Sequence, residues 1–112
     1  SGEDGTALEF NLRGGVGCIS VTANVAPKLC SEFQEASISK NNSNLLAKAK
    51  EINDKLMPLH KSLFIESNPS PVKYAASLLK ICPEEVRLPL VKITEETKKK
   101  VRSAMIHANL IE

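Results

Sequence analysis

The chain has no tryptophan and a single tyrosine, Tyr74, and aromatics make up only 4% of it. That scarcity excludes the stacked aromatic platform on which single-stranded nucleic acid is held. Charge of one sign is equally scarce. Fifteen Lys and Arg against thirteen Asp and Glu leave a net charge of +2, too weak a bias to argue for a nucleic-acid or membrane partner. No apolar run approaches the roughly 20 residues needed to span a bilayer. The opening residues Ser1-Gly2-Glu3-Asp4-Gly5 carry neither an initiator Met nor a secretory leader pattern. They read as an abrupt, mid-protein start, and the chain is expected to be the end of a larger fold. Three cysteines, Cys18, Cys30 and Cys82, are an odd number at wide spacing. That pattern offers neither a metal-ligand pair nor a redox Cys-x-x-Cys. They read as small buried hydrophobes in a reducing cytosol. Asn41-Asn42-Ser43 matches a glycosylation acceptor, which has meaning only along a secretory route.

What is present is one strand-like stretch followed by helices. Residues 14–24 hold a short, β-rich run, with Val16, Cys18, Ile19 and Val21 bounded by glycines and by Ala23-Asn24. A near-continuous apolar run of this length predicts a strand buried on both faces, as in a parallel sheet. One strand cannot satisfy its own backbone, so partners must come from elsewhere.

Before it, Asp4 is an expected N-cap for a short helix over residues 6–13, with Leu8 and Leu12 on one face and Gly14 as its C′ residue. After it, Asn24 is the expected cap of a helix carrying Pro27 in its first turn and Ala26, Leu29, Cys30, Phe33 and Ala36 on its apolar face. The polar segment 39–44 is the candidate domain boundary, dividing residues 1–40 from 41–112. Leu45, Ala49, Ile52, Leu56, Leu59 and Leu63 then step by four and three, which predicts a long helix over residues 44–64. Pro58 is expected to kink or divide it. Ser70, with Pro71 at N1, is expected to open a helix with Val72, Ala75, Ala76 and Leu79 on its face. Thr94 is expected to cap a last helix, with Glu95 and Glu96 in its first turn and Val101, Ala104, Met105 and Ala108 buried.

No self-sufficient active site emerges from these residues. Gly14-Gly15-Val16-Gly17 precedes its strand, whereas phosphate-cradling loops place glycines between strand and helix, so turn chemistry is the better reading. His60 and His107 lack neighbours at metal-ligand spacing and read as helix surface or partner contacts. Lys98-Lys99-Lys100 with Arg102 reads as a solvated charged face. No serine sits in a nucleophile elbow, and no paired carboxylates appear. Lys73, considered as a Schiff-base lysine, sits in a first helical turn rather than at the desolvated strand end such chemistry needs.

Four stretches carry a resemblance. They are Ser1-Gly2-Glu3-Asp4; Gly17-Cys18-Ile19-Ser20-Val21-Thr22-Ala23-Asn24; Leu56-Met57-Pro58-Leu59-His60 with Leu63-Phe64-Ile65-Glu66-Ser67-Asn68-Pro69-Ser70-Pro71-Val72-Lys73; and Arg87-Leu88-Pro89-Leu90. In order and spacing they resemble the C-terminal part of the dihydrodipicolinate synthase family, within the pyruvate-dependent aldolase superfamily. The resemblance implies an α/β parent, a (β/α)8 TIM barrel, of which this mostly helical chain covers the last strand–helix units and a C-terminal helical region. Residues 1–2 then end strand seven and residues 17–21 form strand eight, with the chemistry at the C-terminal strand ends.

The resemblance also implies a class I aldolase-type lyase of lysine and diaminopimelate biosynthesis. Such an enzyme is cytoplasmic and homo-oligomeric (tetramer or dimer), needs no added cofactor or metal, and joins pyruvate to aspartate semialdehyde through a lysine Schiff base. Ile19 is implied to border pyruvate through its backbone carbonyl, and Gly2 and Glu3 to lie at the rim for the second substrate. Glu3 is a methylene longer than the family's usual Asp. The Schiff-base lysine, the relay tyrosine and the threonines are expected upstream, in the other part of the barrel. The chain alone is therefore expected to be inactive. The competing reading is a non-catalytic helical interaction module or truncated fragment.

Overall fold

The periodic apolar positions of the sequence are explained by a central helix and the helices laid against it. The computed structural model describes residues 1–39 and 42–112. Among them run α1 (Ala7–Leu12), α2 (Pro27–Ile38), α3 (Ser43–Ser62), α4 (Ser70–Leu78) and α5 (Glu95–His107), with short 3-10 turns at Asp4–Thr6 and Thr22–Asn24. The boundary expected between residues 40 and 41 lies outside the described residues, as does Asn41 of the acceptor tripeptide.

α3 is the axis. Its stripe Ala49, Ile52, Leu56, Leu59 and Leu63 is buried as the spacing predicts, and α2 and α5 pack along it. Asn42 caps it, its Oδ1 accepting from the amides of Asn44 at 3.0 Å and Leu45 at 3.2 Å. The expected division at Pro58 does not occur, and α3 runs through it. Pro58 is exposed, so the intrahelical bond it cannot donate is lost on the solvent side, where water compensates.

α2 begins at Pro27 and buries Ala26, Cys30, Phe33 and Ala36 beside its start and along its face. Asn24 does not cap it. The 3-10 turn occupies residues 22–24, and Asn24 Nδ2 instead donates to the Val21 carbonyl at 3.0 Å. α4 starts one residue earlier than expected, with Pro69 rather than Ser70 at the N-cap. Val72, Ala75 and Ala76 are buried as predicted. α5 follows the prediction closely: Thr94 Oγ1 accepts from the Thr97 amide at 3.3 Å, and Val101, Ala104, Met105 and Ala108 are buried.

α1 departs from its prediction. Leu12 is 47% exposed, and the buried face is Ala7 and Asn11. Asn11 Nδ2 donates to Gln34 Oε1 and Ser37 Oγ, each at 2.8 Å, so a polar tie to α2 fixes the rotation of the helix. Gly14 is its C′ residue as expected, at φ +105°. The following amide, of Gly15, donates to the Phe10 carbonyl at 2.9 Å. A Cβ on Gly15 would meet the Phe10 ring and that carbonyl, so the close approach requires glycine there.

The stretch 16–21 corrects the strand prediction. It is not buried on both faces: Val16 and Ile19 are 86% and 87% exposed. No strand ladder forms among the described residues. What forms is one parallel pair. The Ile19 amide donates to the Ser1 carbonyl at 2.8 Å, and the Ser1 amino group donates to the Gly17 carbonyl at 3.0 Å. Those two bonds, flanking Cys18, have the slanted spacing of a parallel bridge. Among the described residues, Ser1 alone pairs with this run through the backbone.

Candidate functional site

The parallel pair brings Ser1-Gly2 and Gly17–Ile19 side by side. The surface they share is an open hollow of about 690 Å³, lined by Gly2, Phe10, Val16 and Ile19 among others. Glu3 is exposed next to Gly2, its amide donating to Ser1 Oγ at 3.2 Å. Of the three residues singled out in the sequence, Gly2 and Ile19 line this hollow and Glu3 does not. The Ile19 carbonyl accepts none of the hydrogen bonds formed among the described residues, which leaves an acceptor free there.

Extended backbone alternates its sides, and the opposite side of the same stretch faces a second, partly open cavity. Cys18 and Ser20 line a cavity of about 250 Å³ together with Asp4, Cys30, Phe33 and His60. Asp4 organises it. Expected as a helix cap for α1, it is instead buried, 7% exposed, and its carboxylate turns to the far side of the loop. Ser20 Oγ donates to Oδ1, and the amides of Val21 and Thr22 donate to Oδ2 at 3.0 and 3.2 Å. A carboxylate at the start of a 3-10 turn satisfies donors that would otherwise be orphaned. Ser20 Oγ in turn accepts from the Ala23 amide at 2.9 Å.

His60 also corrects the sequence reading. It is no surface residue but 7% exposed. Its Nδ1 and Thr22 Oγ1 share a hydrogen bond of 2.7 Å between two wholly or nearly buried groups. Burial pulls the His60 imidazole below its ordinary value, against an opposing pull from the Asp4 carboxylate. Burial, with Asp4 adding to it, raises the Cys18 thiol, and raises Cys30 to about 11. Burial thus disfavours the thiolate at both positions. His60 was findable from sequence, because it follows Leu56 by four and so shares the buried stripe of α3.

The remaining candidates are engaged elsewhere. Lys73 Nζ donates to the Glu85 carbonyl, half-buried at the start of α4. Lys98 lies 3.3 Å from Glu95 and 3.6 Å from Glu84, with the Tyr74 ring 5.4 Å away, and Lys100 lies 3.5 Å from Glu96. Two cations of the basic run, Lys98 and Lys100, are therefore paired with acidic neighbours. Among the described residues no cluster of three or more His, Cys, Asp or Glu is placed to hold a metal, and no helix is long and apolar enough to cross a membrane.

The described residues thus combine one parallel backbone pairing, between Ser1 and the stretch around Cys18, with the helices that follow it. The model of the Dihydrodipicolinate synthetase family matches residues 1–108, and the chain belongs to that family. It is 61% identical over 111 residues to the 4-hydroxy-tetrahydrodipicolinate synthase of Pelagibacter ubique, covering 99% of this chain and 38% of that protein. It is 59% identical to the synthase of Parvibaculum lavamentivorans, covering 99% and 37%. Among solved structures, dihydrodipicolinate synthase from Thermotoga maritima superposes with a TM-score of 0.90 at 40% identity, covering 99% of this chain and 36% of that one. The chloride-inhibited synthase of Acinetobacter baumannii, complexed with pyruvate, does so at 0.90 and 42%, covering 99% and 37%. The chain thus spans between 36% and 38% of the length of these relatives.

Proposed function

We propose that this chain is the C-terminal part of a class I aldolase-type lyase that condenses pyruvate with aspartate semialdehyde to 4-hydroxy-tetrahydrodipicolinate, a step toward lysine and diaminopimelate. The observation that supports the reading is the parallel pair, which brings Gly2 and Ile19 to one open hollow with the Ile19 carbonyl free. In a (β/α)8 barrel, strand ends of this kind form the rim of the site. The complex of the A. baumannii relative with pyruvate supports that substrate.

In this reading a lysine amine outside these residues attacks the keto carbon of pyruvate and expels water, giving an imine. Loss of a methyl proton gives the enamine, whose carbon adds to the aldehyde carbon of the second substrate. A tyrosine and threonines, also outside these residues, carry the protons. The chain supplies no nucleophile. The Ile19 carbonyl borders bound pyruvate, and Gly2, having no side chain, leaves the entry open. Glu3 lies beside Gly2 at the rim for the second substrate. Residues 1–40 close the barrel, and residues 41–112 form the helical region against it. The complete protein works as a cytoplasmic homo-oligomer without an added cofactor.

The test is a steady-state assay of the complete protein and of this chain alone for pyruvate-dependent consumption of aspartate semialdehyde. The complete protein is expected to turn over and the isolated chain to show none. Turnover by neither sample under conditions where both are folded would refute the reading.

A further inference from the structure

Helix α3 reaches back to the turn that follows Ile19 through a buried hydrogen bond. His60, deep in α3, holds Thr22 at 2.7 Å, and Thr22 is three residues beyond Ile19. Between them every backbone donor but one is fixed. The Ile19 amide is held by the Ser1 carbonyl at 2.8 Å, and the Val21 and Thr22 amides by the Asp4 carboxylate at 3.0 and 3.2 Å. The Ile19 carbonyl belongs to the peptide between these anchors, so its direction follows from how the turn is pinned. His60 is the anchor on the far side of that turn, and it is the one that comes from a different structural unit. Because Asp4 follows Gly2 and Glu3 directly, the same cluster ties both chain segments of the rim to α3.

We propose that His60 is a positioning residue for the pyruvate edge: acting through Thr22, it sets the orientation of the Ile19 carbonyl. The proposal rests on the reading that this carbonyl borders pyruvate. A neutral imidazole suits the task. It makes one directional bond at Nδ1 and introduces no charge into a cavity that Asp4 also lines.

The experiment uses the complete protein with His60→Leu, His60→Asn and Thr22→Val. Leucine fills the space without a polar atom, and asparagine restores a polar atom where Nδ1 stood. For a hydrogen bond lost from positioning, His60→Leu and Thr22→Val should each raise KM for pyruvate about five- to tenfold. In both, kcat should change less than about twofold, and KM for aspartate semialdehyde should stay put. His60→Asn should recover most of the loss, and the His60→Leu/Thr22→Val double variant should be no worse than either single one.

An unchanged KM for pyruvate in a folded His60→Leu or Thr22→Val variant would overturn the proposal. So would a fall in kcat with both KM values unchanged, the mark of a merely structural role. If His60→Leu does not fold, Thr22→Val decides alone. Should the wild-type complete protein form no borohydride-trapped adduct with pyruvate, it is the functional reading that fails. An adduct in the wild type with an unmoved KM in the variants sinks only the positioning role.

Discussion

Asp4 and His60 show what single residues contribute here. Each is a polar group buried at 7% exposure, and each is satisfied by a partner on another segment. Removing one partner leaves the other buried and unsatisfied, which costs about 1–3 kcal/mol. His60 also carries a pH dependence. Its imidazole binds a proton less readily folded than unfolded, because burial outweighs the pull of Asp4. Between its lowered folded value and about pH 6.5, the unfolded chain holds the extra proton. The stability tied to neutral His60 is therefore complete above that range and falls as pH drops through it. In urea titrations of wild type and His60→Asn, the wild-type midpoint should decline more steeply from about pH 7.5 to about pH 5.5. Parallel profiles would remove His60 from the acid sensitivity of the fold.

At the scale of the element, three helices end alike with three different residues. After α1, α4 and α5 the C′ residue is Gly14 at φ +105°, Lys80 at φ 60° and Asn109 at φ 59°. In each, the next amide reaches back to the carbonyl five residues before it: Gly15 to Phe10, Ile81 to Ala76 and Leu110 to Met105, at 2.9, 3.0 and 2.9 Å. This is the Schellman arrangement, which favours glycine and tolerates asparagine. Lysine there carries the left-handed penalty of about 1–2 kcal/mol. Lys80→Gly should accordingly stabilise the protein by about 1 kcal/mol, and Asn109→Gly by less, as read from urea midpoints. A destabilising Lys80→Gly would mean that the side chain makes a compensating contact.

The helices themselves were legible because burial repeats at three and four: the stripes of α3 and α5 are those the spacing marks out. Positions set by distant partners were not legible. Asp4 has the local look of a cap for α1, but its partners lie 16 to 18 residues further on. Leu12 follows Leu8 by four, yet the Asn11 bonds to α2 turn the helix so that Leu12 faces out. The run 16–21 announces burial by composition alone, and composition does not say where the covering strands are.

Across the whole molecule, the same incompleteness has a shape. The Cα radius of gyration is 14.4 Å, with extents of 46 × 29 × 21 Å. A closed domain of this length would have a radius of roughly 13 Å. The helical region around α3 and α5 has a packed core, whereas the edge formed by Ser1, Gly2, Val16 and Ile19 stays open and apolar. On the proposed reading, this open edge beside the Ile19 carbonyl is part of a site whose reactive amine other residues of the barrel supply.

That division of labour is the central claim, and borohydride trapping with pyruvate, read by intact mass and peptide mapping, tests it most directly. It should be run on this chain alone and on the complete protein. The account predicts no adduct on the isolated chain and one pyruvate-derived adduct on the complete protein, at a lysine outside these 112 residues. An adduct on any lysine within them, Lys73 above all, would contradict it.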